Sequence, residues 1–246
     1  MAAAVAPATK NFAGTRSRRA GSLIFVWLAV ACTLVAVVAF VPTYWLQVPA
    51  GTFVGAPIVH LHAALSTGWM LFLVMQTYLV ARGRLRRHRD WSLAGIALAT
   101  LVVVVGLATA VISLRERLAR GEGDAARMFL ATPFAAMMLF ALFTGAAIAC
   151  THRPEWHKRL MIAGTVALVS AAGARVAFLL AMGRHPGLRP GVLPPPPEPM
   201  PTVVGLVLQL IVVAGMIRDR TRARLALESR IWRPGLTGSA QYRRPD

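Results

Sequence analysis

Six long stretches that contain no acidic residue constrain the fold of this chain more than any other feature of the sequence. They cover residues 22–41, 58–81, 92–114, 128–149, 161–183 and 201–217. A helix needs about 20 apolar residues to cross the hydrocarbon core of a bilayer. Backbone groups in lipid must be bonded within the segment or in a closed barrel, and these runs are too long and too uniform for barrel strands. The sequence therefore predicts an all-α fold, a polytopic transmembrane bundle of six helices.

The composition agrees with lipid as the solvent of this chain. Of its 246 residues, 57% are apolar and 15% are charged, whereas soluble domains have about 45–50% and about 25%. The formal net charge is +18, which in a soluble protein would suggest nucleic acid. Because the basic residues lie between apolar stretches, anionic lipid headgroups are the expected partner and nucleic acid is not. The two cysteines, Cys32 and Cys150, have neither disulfide nor metal-binding spacing.

The distribution of lysine and arginine predicts the orientation of the spans. Twenty of these residues lie in the N-terminal tail, in the loops after the second and fourth spans, and in the C-terminal tail, against six on the opposite side. Cytoplasmic loops carry the excess of basic residues. We therefore expect a protein of the bacterial inner membrane with basic cytoplasmic tails at residues 1–21 and 218–246. Residues 22–217 form the transmembrane domain between them.

Two histidines at the outer end of the second span are candidate ligand-binding residues. His60 and His62 are two positions apart, which on a helix is about 200° of rotation, so at most one imidazole can point into the bundle. A neutral imidazole can ligate a metal or accept a proton. Ionisable residues at membrane depth are candidates for function. The alternative is that both are interfacial residues bonded to loop carbonyls or headgroups.

Arg175 is the second candidate, because it lies within the fifth span and no acidic residue in any span can pair with it. One interpretation is that its long side chain reaches the membrane interface. The other is that it binds an anionic group, such as a lipid phosphate, a carboxylate substrate or a haem propionate. By depth it shares the outer third of the bundle with both histidines and with several hydroxyl side chains, namely Ser66, Thr67, Thr109 and Thr132.

Two similar strings on the inner side contain the other histidines near the membrane. Arg87-His88-Arg89 precedes the third span and His157-Lys158-Arg159 precedes the fifth. Two histidines at one membrane face are able to bind a metal or a headgroup, whereas the alternative is a basic rim that only sets orientation. Gln76 and Gln209 are buried polar residues suited to bridging helices.

Several strings resemble a family of uncharacterised bacterial multi-span integral membrane proteins, and they cover most of the chain. The strings are Tyr44-Trp45, His60-Leu61-His62-Ala63, Trp69, Gln76, Arg82-Gly83-Arg84, His88-Arg89, His157-Lys158-Arg159-Leu160-Met161 and Asp219-Arg220-Thr221-Arg222. The resemblance implies a membrane protein but no activity. The chain is more loosely similar to six-helix cytochrome b561-like proteins, which hold haem b between histidines of different helices. Here only the second span contains histidines, so a methionine (Met128, Met137 or Met138) would supply the second ligand, and of these Met128 is expected near the depth of His60.

These observations favour a membrane protein that binds a small anionic or lipid-like ligand in an outer-leaflet pocket near His60, His62 and Arg175. A haem- or quinone-linked redox role is the first alternative. A transporter subunit is the second, although the lack of intramembrane carboxylates disfavours coupling to protons or cations. A structural or assembly role is the third. No nucleophile–base pair, phosphate loop or metal-spacing motif occurs, so neither catalytic nor metal-binding residues are predicted.

Overall fold

The computed structural model describes residues 12–182 and, beyond them, residues 203, 207 and 210. In this part of the chain the secondary structure is helical and contains no strand. Six α-helices and one π-helical turn follow each other along the sequence: α1 (Phe12–Phe40), the π-helical turn (Val41–Trp45), α2 (Ile58–Ala81), α3 (Leu85–Asp90), α4 (Ser92–Ala119), α5 (Gly123–Ala149) and α6 (Pro154–Met182).

The five long helices form a closed ring. Helix α1 packs on α2, α2 on α4, α4 on α5, α5 on α6, and α6 returns to α1, while the short α3 connects α2 to α4. The α2–α4 and α5–α6 connections lie at the same end, because the rings of His88 and His157 are 6.3 Å apart there. We name this the basic end. The opposite end, which holds the loop 46–57 and the α4–α5 turn, is named the cavity end.

Four helical segments in the described part of the chain are long and apolar enough to cross a membrane: Leu23–Trp45, Ile58–Ala81, Ser92–Ala119 and Gly123–Ala149. Their outward surface is apolar, as a surface facing lipid requires; Trp27, for example, is 69% exposed and Leu93 is 77% exposed. The all-helical, membrane-compatible bundle predicted from the sequence is therefore confirmed, and the first four predicted spans fall on these segments.

The remaining predicted segments differ in how far the structure describes them. The fifth, 161–183, coincides with most of α6, which also carries Glu155, Lys158 and Arg159 in its first turns. The sixth, 201–217, lies outside the described residues except at positions 203, 207 and 210. The predicted cytoplasmic tails, apart from residues 12–21 in α1, lie outside them as well.

The connection between α4 and α5 is much shorter than the sequence suggested. The predicted outer loop at 115–127 is mostly helical, because α4 continues to Ala119 and α5 already begins at Gly123. Ion pairs across the turn explain the longer helices. The carboxylate of Glu122 accepts a hydrogen bond of 2.7 Å from Arg117 Nη1 and one of 2.9 Å from Arg120 Nη2. Of the charged residues that suggested a loop, Arg117 is therefore helical, whereas Arg120 and Glu122 form the short turn and pair with each other.

A core near the middle of the ring joins all five long helices. Trp69 of α2 is 3% exposed and packs edge-on against Phe140 of α5, with ring centroids 5.0 Å apart. Its indole N–H donates a hydrogen bond of 3.1 Å to Thr165 Oγ1 of α6. Ala39 of α1 and Val102 of α4 complete this cluster. This core lies between the basic end and the cavity end of the ring.

Candidate functional site

A partly open cavity of about 810 Å³ lies between the five long helices at the cavity end. Its volume falls within the range of about 300–1,000 Å³ that is usual for small-molecule sites. The floor is apolar, since Met70, which belongs to the central core, and Met137 line it together with Leu168. Polar side chains from every long helix but α5 also line it: Thr33, Thr43, His62, Ser66, Thr67, Thr109, Ser113, Glu116, Arg117, Arg120 and Arg175.

Arg175 projects from α6 into the side of this cavity, where two residues of the α1 end hold it. Its Nη1 donates a hydrogen bond of 3.1 Å to Thr43 Oγ1, and its guanidinium carbon lies 4.4 Å from the centre of the Phe40 ring. Thr43 occupies the π-helical turn that follows α1, where Pro42 interrupts the regular α-helical bonding. A guanidinium has five N–H donors. In the described residues no carboxylate forms an ion pair with Arg175, which leaves it able to bind an anion.

His62 and Ser66 lie one turn apart on the face of α2 that lines the cavity. The Nδ1 of His62 and the Oγ of Ser66 are buried and have no hydrogen-bond partner among the residues that the structure describes. A buried polar atom without a partner costs about 1–3 kcal/mol. Native proteins tolerate such atoms mainly where water, an ion or a function accounts for them. Two of them lie beside one cavity, so this wall of α2 is a candidate contact surface.

His60 points away from the cavity, as its angular separation from His62 requires. It is exposed, its Nδ1 lies 2.9 Å from the hydroxyl of Tyr44, and its ring packs 5.1 Å from that of Phe53. Tyr44 and Phe53 do line the cavity. Of the three residues singled out from the sequence, His62 and Arg175 thus share one cavity, and His60 supports its aromatic wall from behind.

The structure adds cavity residues that sequence reasoning missed. The end of α4 at the cavity end, with the residue that follows it, contributes Ser113, Glu116 and Arg120, which continue the face of Thr109 at spacings of four, three and four residues. This spacing places all of them on one side of a helix, but the charges from Arg115 onward had suggested a loop. Thr132, in contrast, is not among the lining residues.

The methionines also differ from expectation. Met128 is 57% exposed and Met138 is 40% exposed, whereas Met137 is 6% exposed and lines the cavity. Gly106 lies between Met137 and His62, because a Cβ at this position would contact the side chains of both. The thioether and the imidazole therefore both border the space beside Gly106.

The chemistry of the site is that of binding. A cationic guanidinium, hydroxyl groups and an imidazole surround a space whose floor is apolar, and this combination suits an amphipathic molecule with an acidic group. Among the described residues, no group of three or more His, Cys, Asp or Glu side chains is placed to hold a metal ion. No protein-family model matches the chain, and no curated protein or solved structure matches it.

Proposed function

We propose that this protein is a multi-span protein of the bacterial inner membrane that binds a small amphipathic anion in the cavity between its helices. The observation that carries the proposal is Arg175, which lines the cavity, donates to Thr43 and has no carboxylate partner among the described residues. An unpaired guanidinium in low-dielectric surroundings strongly favours an anion. A carboxylate or phosphate group would accept two N–H bonds from it in parallel.

The rest of the cavity supports a ligand with an apolar body. Its floor of Met70, Met137 and Leu168 offers hydrocarbon and thioether surface, to which a chain or ring system binds by dispersion and exclusion of water. The buried Nδ1 of His62 and Oγ of Ser66 are available for polar atoms of the same ligand. A lipid-like acid meets all of these demands at once, whereas a small inorganic anion would leave the apolar floor without a partner.

The proposal is tested by native mass spectrometry of the protein purified in a mild detergent. The wild type is expected to retain an acidic amphiphile, and Arg175→Met is expected to lose it while remaining folded. Arg127→Met is the matched control, since Arg127 is an arginine at the same end whose side chain is 68% exposed and pairs with Asp124. Equal retention of the molecule by wild type and Arg175→Met would exclude the role proposed for the guanidinium.

A redox role with haem or quinone is the second candidate, and one observation favours it. His62 and Met137 both line the cavity and both lie beside Gly106, and imidazole and thioether are both known ligands of haem iron. An absorption spectrum of air-oxidised and dithionite-reduced protein distinguishes the candidates. A Soret band that shifts on reduction and is lost in His62→Ala would put the redox role first, whereas a flat spectrum from haem-supplemented protein would remove haem.

We propose further that the chain has six spans with both termini in the cytoplasm. The basic end contains Arg82, Arg84 and Arg89 of one connection and Arg153 of the other, and cytoplasmic loops carry such an excess. The cavity then opens towards the periplasmic side. Reporter fusions test this arrangement: a cytoplasmic reporter joined after residue 85 is expected to be active, and an active periplasmic reporter there would reverse the orientation.

A further inference from the structure

One face of α2 changes from apolar to cationic at the basic end. Leu71, Met75 and Tyr78 of α2 and Arg82, which directly follows it, lie at spacings of four, three and four residues. Such spacings place side chains on one side of a helix. Leu71, Tyr78 and Arg82 are exposed and Met75 is half-buried, so this side forms part of the outer surface of the ring. An apolar stripe on that surface therefore ends in a guanidinium.

Tyr78 positions this guanidinium at the end of the stripe. Arg82 Nε donates a hydrogen bond of 2.9 Å to the Tyr78 hydroxyl, and the guanidinium carbon lies 5.3 Å from the centre of the tyrosine ring. Nε supplies one of the five N–H donors of a guanidinium, and the donors on both Nη atoms remain. No carboxylate forms an ion pair with Arg82 in the part of the chain that the structure describes. These donors are therefore available to an oxyanion.

The short helix α3 places more arginines beside Arg82. His88 ties α3 to the bundle, because its Nδ1 lies 2.8 Å from Gln76 Oε1 and Gln76 Nε2 donates to its carbonyl oxygen at 3.4 Å. With His88 turned inward, Arg86 is rotated by about 200° and points outward. Five arginines of this connection are exposed, and none of them pairs with a carboxylate in the described residues. We name them the arginine cluster: Arg82, Arg84, Arg86, Arg87 and Arg89.

The surface next to the cluster resembles the boundary between hydrocarbon and headgroups. Trp91 directly follows α3, and Leu93 and Ile96 occupy the first turns of α4. All three side chains are exposed. Tryptophan is enriched at the membrane–water interface, with apolar residues on its hydrocarbon side and basic residues on its aqueous side. The arginine cluster therefore lies at the level of the lipid phosphates.

The other connection at the basic end has its cations neutralised. Lys158 and Arg159 both pair with Glu155, at 2.6 Å and 3.5 Å, and Lys158 Nζ lies 4.7 Å from the centre of the Phe25 ring. The arginine cluster, in contrast, contains five cations beside a single acid, Asp90. Attraction for an anion is consequently concentrated on the α2–α4 connection.

We propose that this connection binds an anionic phospholipid. Arg82 donates to the phosphate, and an acyl chain lies along Leu71, Met75 and Tyr78. A guanidinium donates two parallel hydrogen bonds to a phosphate, and basic residues at the membrane surface add attraction for a lipid with net negative charge. A zwitterionic lipid has the same phosphate, but the cluster repels its ammonium group. A soluble phosphate leaves the apolar stripe without a partner. The site is at the opposite end from the cavity and does not depend on the ligand proposed for Arg175.

The test is a lipid titration of the purified full-length protein in a neutral detergent, followed by native mass spectrometry. Phosphatidylglycerol and phosphatidylcholine with the same acyl chains are compared. The wild type is expected to bind phosphatidylglycerol more tightly, and Arg82→Gln is expected to lower that affinity about fivefold. Lys158→Gln is the matched control, because it removes one cation from the same end but from a pair with Glu155. Equal affinity of the wild type for both lipids, or equal losses in the two variants, would overturn the proposal.

Three further measurements define the site. Arg82→Lys keeps the charge but loses the two-pronged geometry, so its affinity is expected to fall between those of wild type and Arg82→Gln. The preference for phosphatidylglycerol should persist in Arg175→Met, and its loss there would assign the lipid to the cavity. Glycerol phosphate should not displace the bound lipid, since it lacks the acyl chains. Displacement by glycerol phosphate, or an Arg82→Lys variant as weak as Arg82→Gln, would contradict the assignment.

Discussion

The Trp69 cluster in the core and the wall of the cavity differ in whether their buried polar atoms are hydrogen-bonded. In the core, Trp69 donates to Thr165 and the hydroxyl of Thr165 donates in turn to the Met161 carbonyl. Around the cavity, buried atoms of His62 and Ser66 have no hydrogen-bond partner in the described part of the chain. Pairing stabilises a fold, whereas unpaired buried groups cost free energy and persist where a ligand uses them. The comparison assigns stability to the Trp69 cluster and polar groups for a ligand to the cavity wall, and it can be broken by substitution in either region.

The largest effect is expected at the centre of the core. Trp69→Ala removes a side chain that is 3% exposed and packed against Phe140, and loss of a buried aromatic side chain costs about 3–5 kcal/mol of unfolding free energy. Trp27→Ala on α1, at 69% exposure, is expected to cost far less. Reversible unfolding in mixed micelles measures both. Similar losses for the two variants would mean that the centre of the ring is not its stabilising core.

Hydroxyl groups give the sharpest contrast between the two regions. Thr165→Val leaves the buried indole N–H of Trp69 unpaired, so we expect it to lower the unfolding free energy by about 1–3 kcal/mol. Ser66→Ala removes a hydroxyl that has no hydrogen-bond partner within the described residues, so the ligand-free protein should stay within about 0.5 kcal/mol of wild type or gain stability. The same variant should retain the acidic amphiphile less well. A destabilised Ser66→Ala protein would show that its hydroxyl is paired after all.

Two glycines test how tightly α5 and α6 pack against each other towards the basic end. A Cβ at Gly164 would lie 3.0 Å from Thr144 Oγ1 and 3.5 Å from the carbonyl of Phe140, whereas a Cβ at Gly145 meets nothing within 4 Å. We expect Gly164→Ala to lower the unfolding free energy by about 1 kcal/mol, at the low end for overpacking. Gly145→Ala should be neutral or stabilising, because alanine favours the helix over glycine. Equal behaviour of the two variants would argue against close packing of α5 on α6.

The smallest effect is a pH dependence at the basic end. Burial and the charges of His157 and Arg89 lower the pKa of His88, while an unfolded chain has a histidine pKa of about 6.5. Below that pH the unfolded state binds a proton that the folded state does not, so the unfolding free energy falls as the pH falls. His88→Asn should flatten this dependence between neutral pH and moderately acidic pH. An unchanged profile in the variant would assign the effect to other groups.

The sequence was sufficient for the parts of the structure that depend on one helix at a time. The length of the apolar stretches located the helices α1, α2, α4 and α5. The rotation per residue of a helix predicted that His60 and His62 face different directions. The pairing of Arg175 with Thr43 joins residues 132 positions apart, and no local pattern reports such a contact. The cavity-end half of α4 was missed for a different reason: Arg117 and Arg120 suggested a loop, but their ion pairs with Glu122 hold Arg117 in the helix and Arg120 directly after it. Tertiary contacts of this kind appear only when the helices are packed.

The most direct test of the central claim compares the binding of an acid and of a neutral analogue with the same chain. Decanoate and decanol are titrated against wild type and Arg175→Met in lipid nanodiscs by calorimetry. The apolar floor offers the same contacts to both chains. Arg117 and Arg120 of the lining pair with Glu122, whereas Arg175 has no carboxylate partner in the described residues, so the wild type should prefer decanoate and the variant should lose that preference. A wild type that binds both equally, or a variant that still prefers the acid, would contradict an anion site at Arg175.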